Sequence, residues 1–326
     1  MRDTTRTFAS SEPGLASQEA EARGASSAPT VIVLGERGLL GGAICRRIAS
    51  VARQQAAAPR CVSLDPRTAF AAIRSGDDAA IDDLVARCGE RQEWIVAAGA
   101  IDPKSDPALL DAVNTEAPLL LVQALEQAAT RHRRAPGSVR LVTFGSILED
   151  RAEIAAVNPY IRSKARLFEQ FQRRQEAEAA SPVAWHHIRL HTLYGVRPPP
   201  PFMFLGQMEA ALRARQPFAM SAGQQLREYH HAEDVADNVL AYLAQATAPS
   251  DVIALSSGRA IALGTLAAAI FAHFGVSHLL RVGAVAAQQG EVFAAAERSP
   301  HVIADRDAAA GIIAWLEDIG IGTLQP

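Results

Sequence analysis

The stretch "TVIVLGERGLLGG", Thr30 to Gly42, limits what this chain can fold into more than any other segment. A β-branched run ends in glycine and reads as a buried strand, and "LLGGAICRRIASVARQ" follows with helical spacing. At the junction Gly35, Gly38 and Gly41 stand in the pattern G-x-x-G-x-x-G. Glycines let such a turn tighten and let the backbone approach a pyrophosphate at the helix N-terminus. A glycine trio alone is a weak signal, but here a strand precedes it and a helix follows. Further strands read at "RCVSLD" (Arg60 to Asp65), "EWIVAAG" (Glu93 to Gly99), "SVRLVTFGS" (Ser138 to Ser146), "VAWHHIRLHTLYG" and "DVIALSS" (Asp251 to Ser257). Helical segments separate them, including "DPALLDAVNTEAPLLLVQALEQAATRH", which reads as two helices, and "TLAAAIFAHFG" ends the series. Strands alternating with helices predict an α/β fold of Rossmann type: a doubly wound parallel sheet covered on both faces. The sheet domain is expected over 29–192 and 228–262. A smaller substrate-binding region, entered through the prolines of "VRPPPPFMF", is expected over 193–227 and 263–326.

Composition narrows the partners. Nearly half of the 326 residues are apolar, enough for a large core, and the formal net charge is −3. No basic block resembles a nucleic-acid footprint; "RHRR", Arg131 to Arg134, closes a helix, where cations suit the dipole. Cys45, Cys61 and Cys88 lie far apart without metal-ligand spacing, and fit a reduced interior. His191, His230 and His231 read as packing or substrate-side hydrogen-bonding residues, so no metal is expected. No apolar run has the length of a membrane span. Residues 1–28 are rich in Ser, Ala, Glu and Thr and read as a disordered tail rather than a signal peptide, which predicts a cytoplasmic protein.

The chemistry centres on "NPYIRSKARLFEQF". Asn158 can cap a helix with Pro159 at its first position, and Tyr160 and Lys164 then share one helical face. A nearby ammonium favours the phenolate, so this tyrosine is expected to exchange protons near neutral pH. Asp65 ends the second strand, where a carboxylate either binds a ribose diol or caps the turn before Pro66. Its charge would repel a 2′-phosphate and so favours NAD. Arg37 and Arg67 could neutralise that phosphate and leave NADP open.

Taken together, these ordered motifs resemble the extended short-chain dehydrogenase/reductase family, the NAD-dependent epimerase/dehydratase group that works on nucleotide sugars. "GERGLLG" is similar to its cofactor turn and implies NAD contacts at Gly35, Arg37, Gly38, Leu39, Leu40 and Gly41. "VAAGA" resembles its cofactor-side strand end, implying Ala97, Ala98 and Gly99, and "VNTEAPLLLVQAL" implies Asn114 near the site. "LVTFGSIL" aligns Ser146 with the catalytic serine or threonine, and "YIRSK" supplies Tyr160 and Lys164. "IRLHTLYG" resembles the strand ending beside the nicotinamide, which implies His191 toward the cofactor and Thr192 toward substrate. "LREYHHAEDVADNVLAYL" implies Arg227 on the substrate diphosphate, with Asp234 structural. The implied activity is hydride transfer at a ring carbon, C4 foremost, of a nucleotide sugar. A 4-keto-6-deoxy sugar reductase leads and a 4-epimerase with retained NAD follows. A non-catalytic dinucleotide-binding regulator is disfavoured by the intact Ser146, Tyr160 and Lys164. Ile147 and Leu148 replace the acidic pair of the dehydratases, so dehydration is not expected. The resemblance also implies a homodimer, with "PLLLVQAL" in a four-helix bundle.

Overall fold

The computed structural model describes residues 28–55, 58–176, 181–246, 250–286 and 294–322; residues 1–27 of the expected tail lie outside it. The first half runs β1 (Thr30–Leu34), α1 (Leu39–Ala52), β2 (Arg60–Leu64), α2 (Pro66–Arg74), α3 (Ala79–Arg87), β3 (Gln92–Val96), α4 (Pro107–Arg131) and β4 (Val139–Ser146). After it come α5 (Ala152–Val157), α6 (Pro159–Glu176), β5 (Val183–Leu190), β6 (Thr192–Tyr194), α7 (Phe204–Ala214), β7 (Phe218–Met220), β8 (Leu226–Arg227) and β9 (Tyr229–His231). The chain then continues through α8 (Ala232–Gln245), β10 (Asp251–Leu255), β11 (Ile261–Ala262), α9 (Leu263–His273), β12 (Leu280–Val282) and α10 (Ala308–Asp318).

Six strands form one parallel sheet in the order β10-β5-β4-β3-β1-β2. The chain steps one way from β1 to β2 and the other way from β3 onward. The carboxyl ends of β1 and β3 therefore flank a topological switch point, where such folds open a crevice. Alternate residues of each strand feed opposite faces. Val31 and Val33 meet α1 and α8 through Ile44, Ile48, Val235 and Val239. Ile32 and Leu34 face the other way, into a layer with Trp94, Leu121, Leu125, Phe171 and Trp185. A third cluster holds the C-terminal elements together, around Met208, Phe218, Leu266, Phe271, Ile312 and Trp315.

Three expectations change. The two helices expected after β3 are one, α4, because the turn Ala112–Glu116 widens to a π-helix instead of breaking. That continuous helix is also long and apolar enough, by length and composition, to cross a membrane, contrary to the sequence reading. Half of its most apolar stretch is buried, with Leu121, Val122 and Leu125 packed on the sheet as core. Finally, "VAWHHIRLHTLYG" is two strands: β5 ends at Leu190, His191 breaks the ladder, and β6 pairs with β9.

Candidate active site

The cofactor end is built by backbone. Gly35 has a φ of +102°, and a Cβ placed on it would stand 2.7 Å from the Ala98 nitrogen. Only glycine permits the ends of β1 and β3 to approach so closely. The Gly38 amide donates to the Gly35 carbonyl at 2.9 Å and closes the turn. Gly38 then precedes α1, 14 residues long, with no side-chain cap and no acidic residue in its first turn. Gly38, Leu39 and Leu40 line the cleft, so the amide end of α1 opens onto it, as an anionic pyrophosphate requires. Gly41 lies one turn inside, packed against the Gly35 carbonyl.

Asp65 takes the capping role. Its Oδ1 accepts the amides of Arg67 and Thr68, each at 3.0 Å, and so caps α2. Its Oδ2 is taken by the Arg37 guanidinium. The Thr68 amide and the Arg37 charge hold this exposed carboxyl below its ordinary range. Asp65, Arg37 and Arg67 together edge a side cleft whose floor is Ala97, Ala98 and Gly99. The carboxylate expected to repel a 2′-phosphate is thus already paired with a cation.

At the catalytic end, the π turn of α4 carries Asn114 inward. π turns are a recurrent feature of functional sites. Asn114 Nδ2 donates to the Ala100 carbonyl at 2.8 Å and to Ser163 Oγ at 3.0 Å, and its Oδ1 accepts the Ala100 amide at 3.0 Å. One side chain thereby ties the loop after β3 to α6. A Cβ on Gly99 would stand 3.3 Å from Asn114 Oδ1 and 3.9 Å from Lys164 Nζ, so the lysine reaches the same floor. Asn158 caps α6, accepting the Ile161 amide at 3.2 Å. Lys164 Nζ donates to the Phe144 carbonyl at 2.8 Å. Burial lowers this lysine to about 8, with Glu149 pulling the other way. Ser146 ends β4, and its Oγ accepts the Leu148 amide at 3.2 Å, which leaves its proton free to be donated. Tyr160 is pushed up to about 12, by burial first and by the Glu149 carboxylate second. The expected depression by Lys164 is not found in this arrangement, because the ammonium turns to Phe144 and Glu149 opposes it.

The opposite wall holds His191, whose Nε2 meets Ser256 Oγ at 2.8 Å and whose ring stacks on His230. Burial lowers it to about 4, so it faces the cleft as a neutral ring. Thr192 lies next to it on β6. Arg227 lines the same cleft and donates to the Leu226 carbonyl at 2.8 Å. Burial alone would raise Glu228, but hydrogen bonds from His230 and Ser257 bring it down to about 2. Asp234 faces away, accepting from Arg306 Nε at 2.9 Å, in the structural role expected of it. Ser146, Tyr160, Lys164, His191, Thr192 and Arg227 all border one cleft of about 1170 Å³ with Phe202, Met203 and Phe204 on its wall. Among the described residues, no group of three or more His, Cys, Asp or Glu side chains is placed to hold a metal. Sequence reasoning missed Glu149 and Glu228, both buried. The only signal for Glu149 was a carboxylate three residues past Ser146 in "SILED".

A model of the NAD dependent epimerase/dehydratase family matches residues 31–255. The chain belongs to this family. The match spans the glycine turn, Ser146, Tyr160, Lys164 and Arg227. No curated protein gives a significant match. Among solved structures, WbmG of Bordetella bronchiseptica, in complex with NAD and UDP, is 18% identical with a TM-score of 0.65, covering 92% of this chain and 98% of its own. A UDP-N-acetylglucosamine 4-epimerase from Methanobrevibacter ruminantium M1 is 13% identical with a TM-score of 0.66, over 89% of this chain and 98% of its own. The dTDP-glucose 4,6-dehydratase DesIV of Streptomyces venezuelae, a double mutant with NAD bound, is 15% identical with a TM-score of 0.65, over 88% and 96%. At these identities the likeness is one of fold.

Proposed function

We propose that this member of the family is an NAD(P)-dependent oxidoreductase that moves a hydride to a ring carbon, C4 foremost, of a nucleotide-linked 4-keto-6-deoxy sugar. The observation that carries the reading is the placement of Tyr160 at the edge of the cleft, one helical turn from Lys164 and beside Ser146. Reduction of a ketone needs a proton donor at the carbonyl oxygen, and a neutral phenol is one. The cofactor supplies the hydride at its nicotinamide ring when bound. The Gly35 turn and the amide end of α1 fit its pyrophosphate, Arg37 and Asp65 its adenosine ribose, and Lys164 its nicotinamide ribose. Ser146 hydrogen-bonds the substrate oxygen and fixes the carbonyl's angle while keeping its own proton, and Tyr160 delivers the one proton that accompanies the hydride. Arg227 offers a planar fork to the diphosphate. Elimination of water is unsupported. Ile147 and Leu148 stand where the resemblance places an acidic pair, and the Glu149 side chain is wholly buried.

A 4-epimerase that retains NAD is the second reading, and membership of the family favours it. Both use the same Ser146, Tyr160 and Lys164. Purified protein incubated with a panel of nucleotide sugars and 4-keto nucleotide sugars separates them. Turnover that consumes added reduced cofactor supports the reductase; product without added cofactor supports the epimerase; neither, across the panel, overturns both. The working unit in this reading is a homodimer. Leu119 and Leu120 of α4 are only partly buried and Leu109 is 51% exposed, an apolar face suited to a partner's helices. A monomer by light scattering at micromolar concentration would remove that part of the proposal.

A further inference from the structure

Behind Ser146 lies a polar chain that the proposed reaction has not used. Glu149 folds back under the end of β4: its amide donates to the Ser146 carbonyl at 3.0 Å, and its Oε2 accepts the Ser146 amide at 2.9 Å. Its Oε1 meets His187 Nε2 at 3.0 Å, and both side chains are fully buried. Beyond it, Thr143 Oγ1 meets His187 Nδ1 at 2.8 Å and accepts from Trp185 Nε1 at 2.8 Å. Phe168 stacks on the His187 ring and carries the Arg189 guanidinium on its π face. Arg189 Nε stands 3.2 Å from Glu149 Oε1, near enough to pair without a hydrogen bond. Gly145 makes the arrangement possible, since a Cβ there would collide with both the Glu149 carboxylate and the His187 ring. A strand residue is kept bare so that a carboxylate can lie beneath the reacting edge.

We propose that Glu149 is a positioning residue of this active site: it fixes Ser146 at the end of β4 and sets a buried carboxylate against Gly145, next to the Phe144 carbonyl that holds Lys164. The inference rests on the hydride-transfer reading. The charged and titratable groups round the Tyr160–Lys164 pair come from several elements. Glu149 and Asp150 follow β4, and His187 and Arg189 lie on β5. Arg162 and Arg166 on α6 are spent on the Ala155 carbonyl and on Asp111. Arg151, Lys104 and the neutral His191 border the cleft. Among these, Glu149 is the charge felt at both Tyr160 and Lys164. A carboxylate near two acids disfavours loss of a proton from either, so the pair gives up its first proton at higher pH than it otherwise would.

The test is Glu149→Gln, which keeps an oxygen for the Ser146 amide and removes the charge. Ultraviolet difference absorbance of tyrosinate is followed against pH in wild type, Tyr160→Phe and Glu149→Gln, with no substrate present. The Tyr160→Phe curve isolates the Tyr160 contribution. In Glu149→Gln the Tyr160 ionisation is expected about 1 unit lower, and on an accepted substrate the pH profile of kcat moves the same way while KM changes less. Glu149→Asp, which keeps the charge but cannot reach Ser146 as well, is expected to keep the titration and lose kcat. An unchanged titration in a folded Glu149→Gln overturns the proposal, whether or not any substrate is found. Should Glu149→Gln fail to melt cooperatively, Glu149→Asp decides: a folded Glu149→Asp protein with wild-type kcat overturns the proposal, and one with lowered kcat and an unmoved titration supports it.

Discussion

Gly35→Ala is the sharpest test of the cofactor turn, because two separate costs can be worked from the geometry. A side chain at a φ of +102° is strained by about 1–3 kcal/mol. Its Cβ would also lie 2.7 Å from the Ala98 nitrogen and 3.0 Å from Ala98 Cα and the Ala97 carbonyl carbon. Ordinary contact begins near 3.4 Å, so the strand ends must part by about 0.7 Å. Those neighbours are backbone just past the end of a central strand and cannot swing aside as a side chain could. Overpacking of this kind costs about 1–3 kcal/mol. The two together predict a loss of roughly 2–6 kcal/mol and a melting temperature lower by roughly 3–9 °C. The same parting widens the crevice over which the pyrophosphate lies, and NAD affinity should fall at least about tenfold, or about 1.4 kcal/mol. Scanning fluorimetry across an NAD titration reads both, since bound ligand raises the melting temperature by mass action. Gly89→Ala is the matched comparison: its Cβ would meet nothing nearer than Thr30 Oγ1 at 3.5 Å, and it should stay within about 0.5 kcal/mol of wild type. A Gly35→Ala protein with wild-type melting and NAD affinity would refute the argument that the strand ends meet there.

Tyr160→Phe keeps the ring and loses the proton, so turnover on an accepted substrate should fall by ~10²–10⁴ while NAD affinity, read by calorimetry, is unchanged. Lys164→Met should abolish activity yet raise the melting temperature at pH 7, because it removes a buried ammonium. The folded state holds this lysine at about 8, below its usual 10.5, so its cost is full below pH 8 and is relieved as pH rises towards 10.5. The gain in melting temperature should therefore shrink over that window; a gain that grows with pH would contradict the burial argument. Arg37→Ala frees the second oxygen of Asp65 and should strengthen the preference for NAD over NADP, whereas Asp65→Ala should relax it by about tenfold or more. Equal NAD-to-NADP affinity ratios in wild type and both variants would show that neither residue reads the ribose.

What the sequence by itself determined is what neighbouring residues decide among themselves. The β-branched run before Gly35 and the helical spacing after it fixed the first unit of the fold and its crevice. Asn158 and Pro159 fixed the start of α6, and with it the shared face of Tyr160 and Lys164, because caps and helical period act over a few residues. The tertiary structure alone decided the rest. Glu149 and His187 are 38 residues apart and meet only because β4 and β5 pair in register. Burial first, and the Glu149 carboxylate second, reverse the expected direction of the Tyr160 shift, since a pKa depends on every charge and on all the water excluded nearby, whatever their place in the chain. Asp65 met Arg37 across 28 residues, so a carboxylate that reads as free in the sequence is paired in the fold. The widened turn at Asn114 is likewise invisible in its local sequence, which is ordinary helix. There Asn114 holds the Ala100 backbone and Ser163 together, and these partners reach it only once α4 and α6 pack side by side.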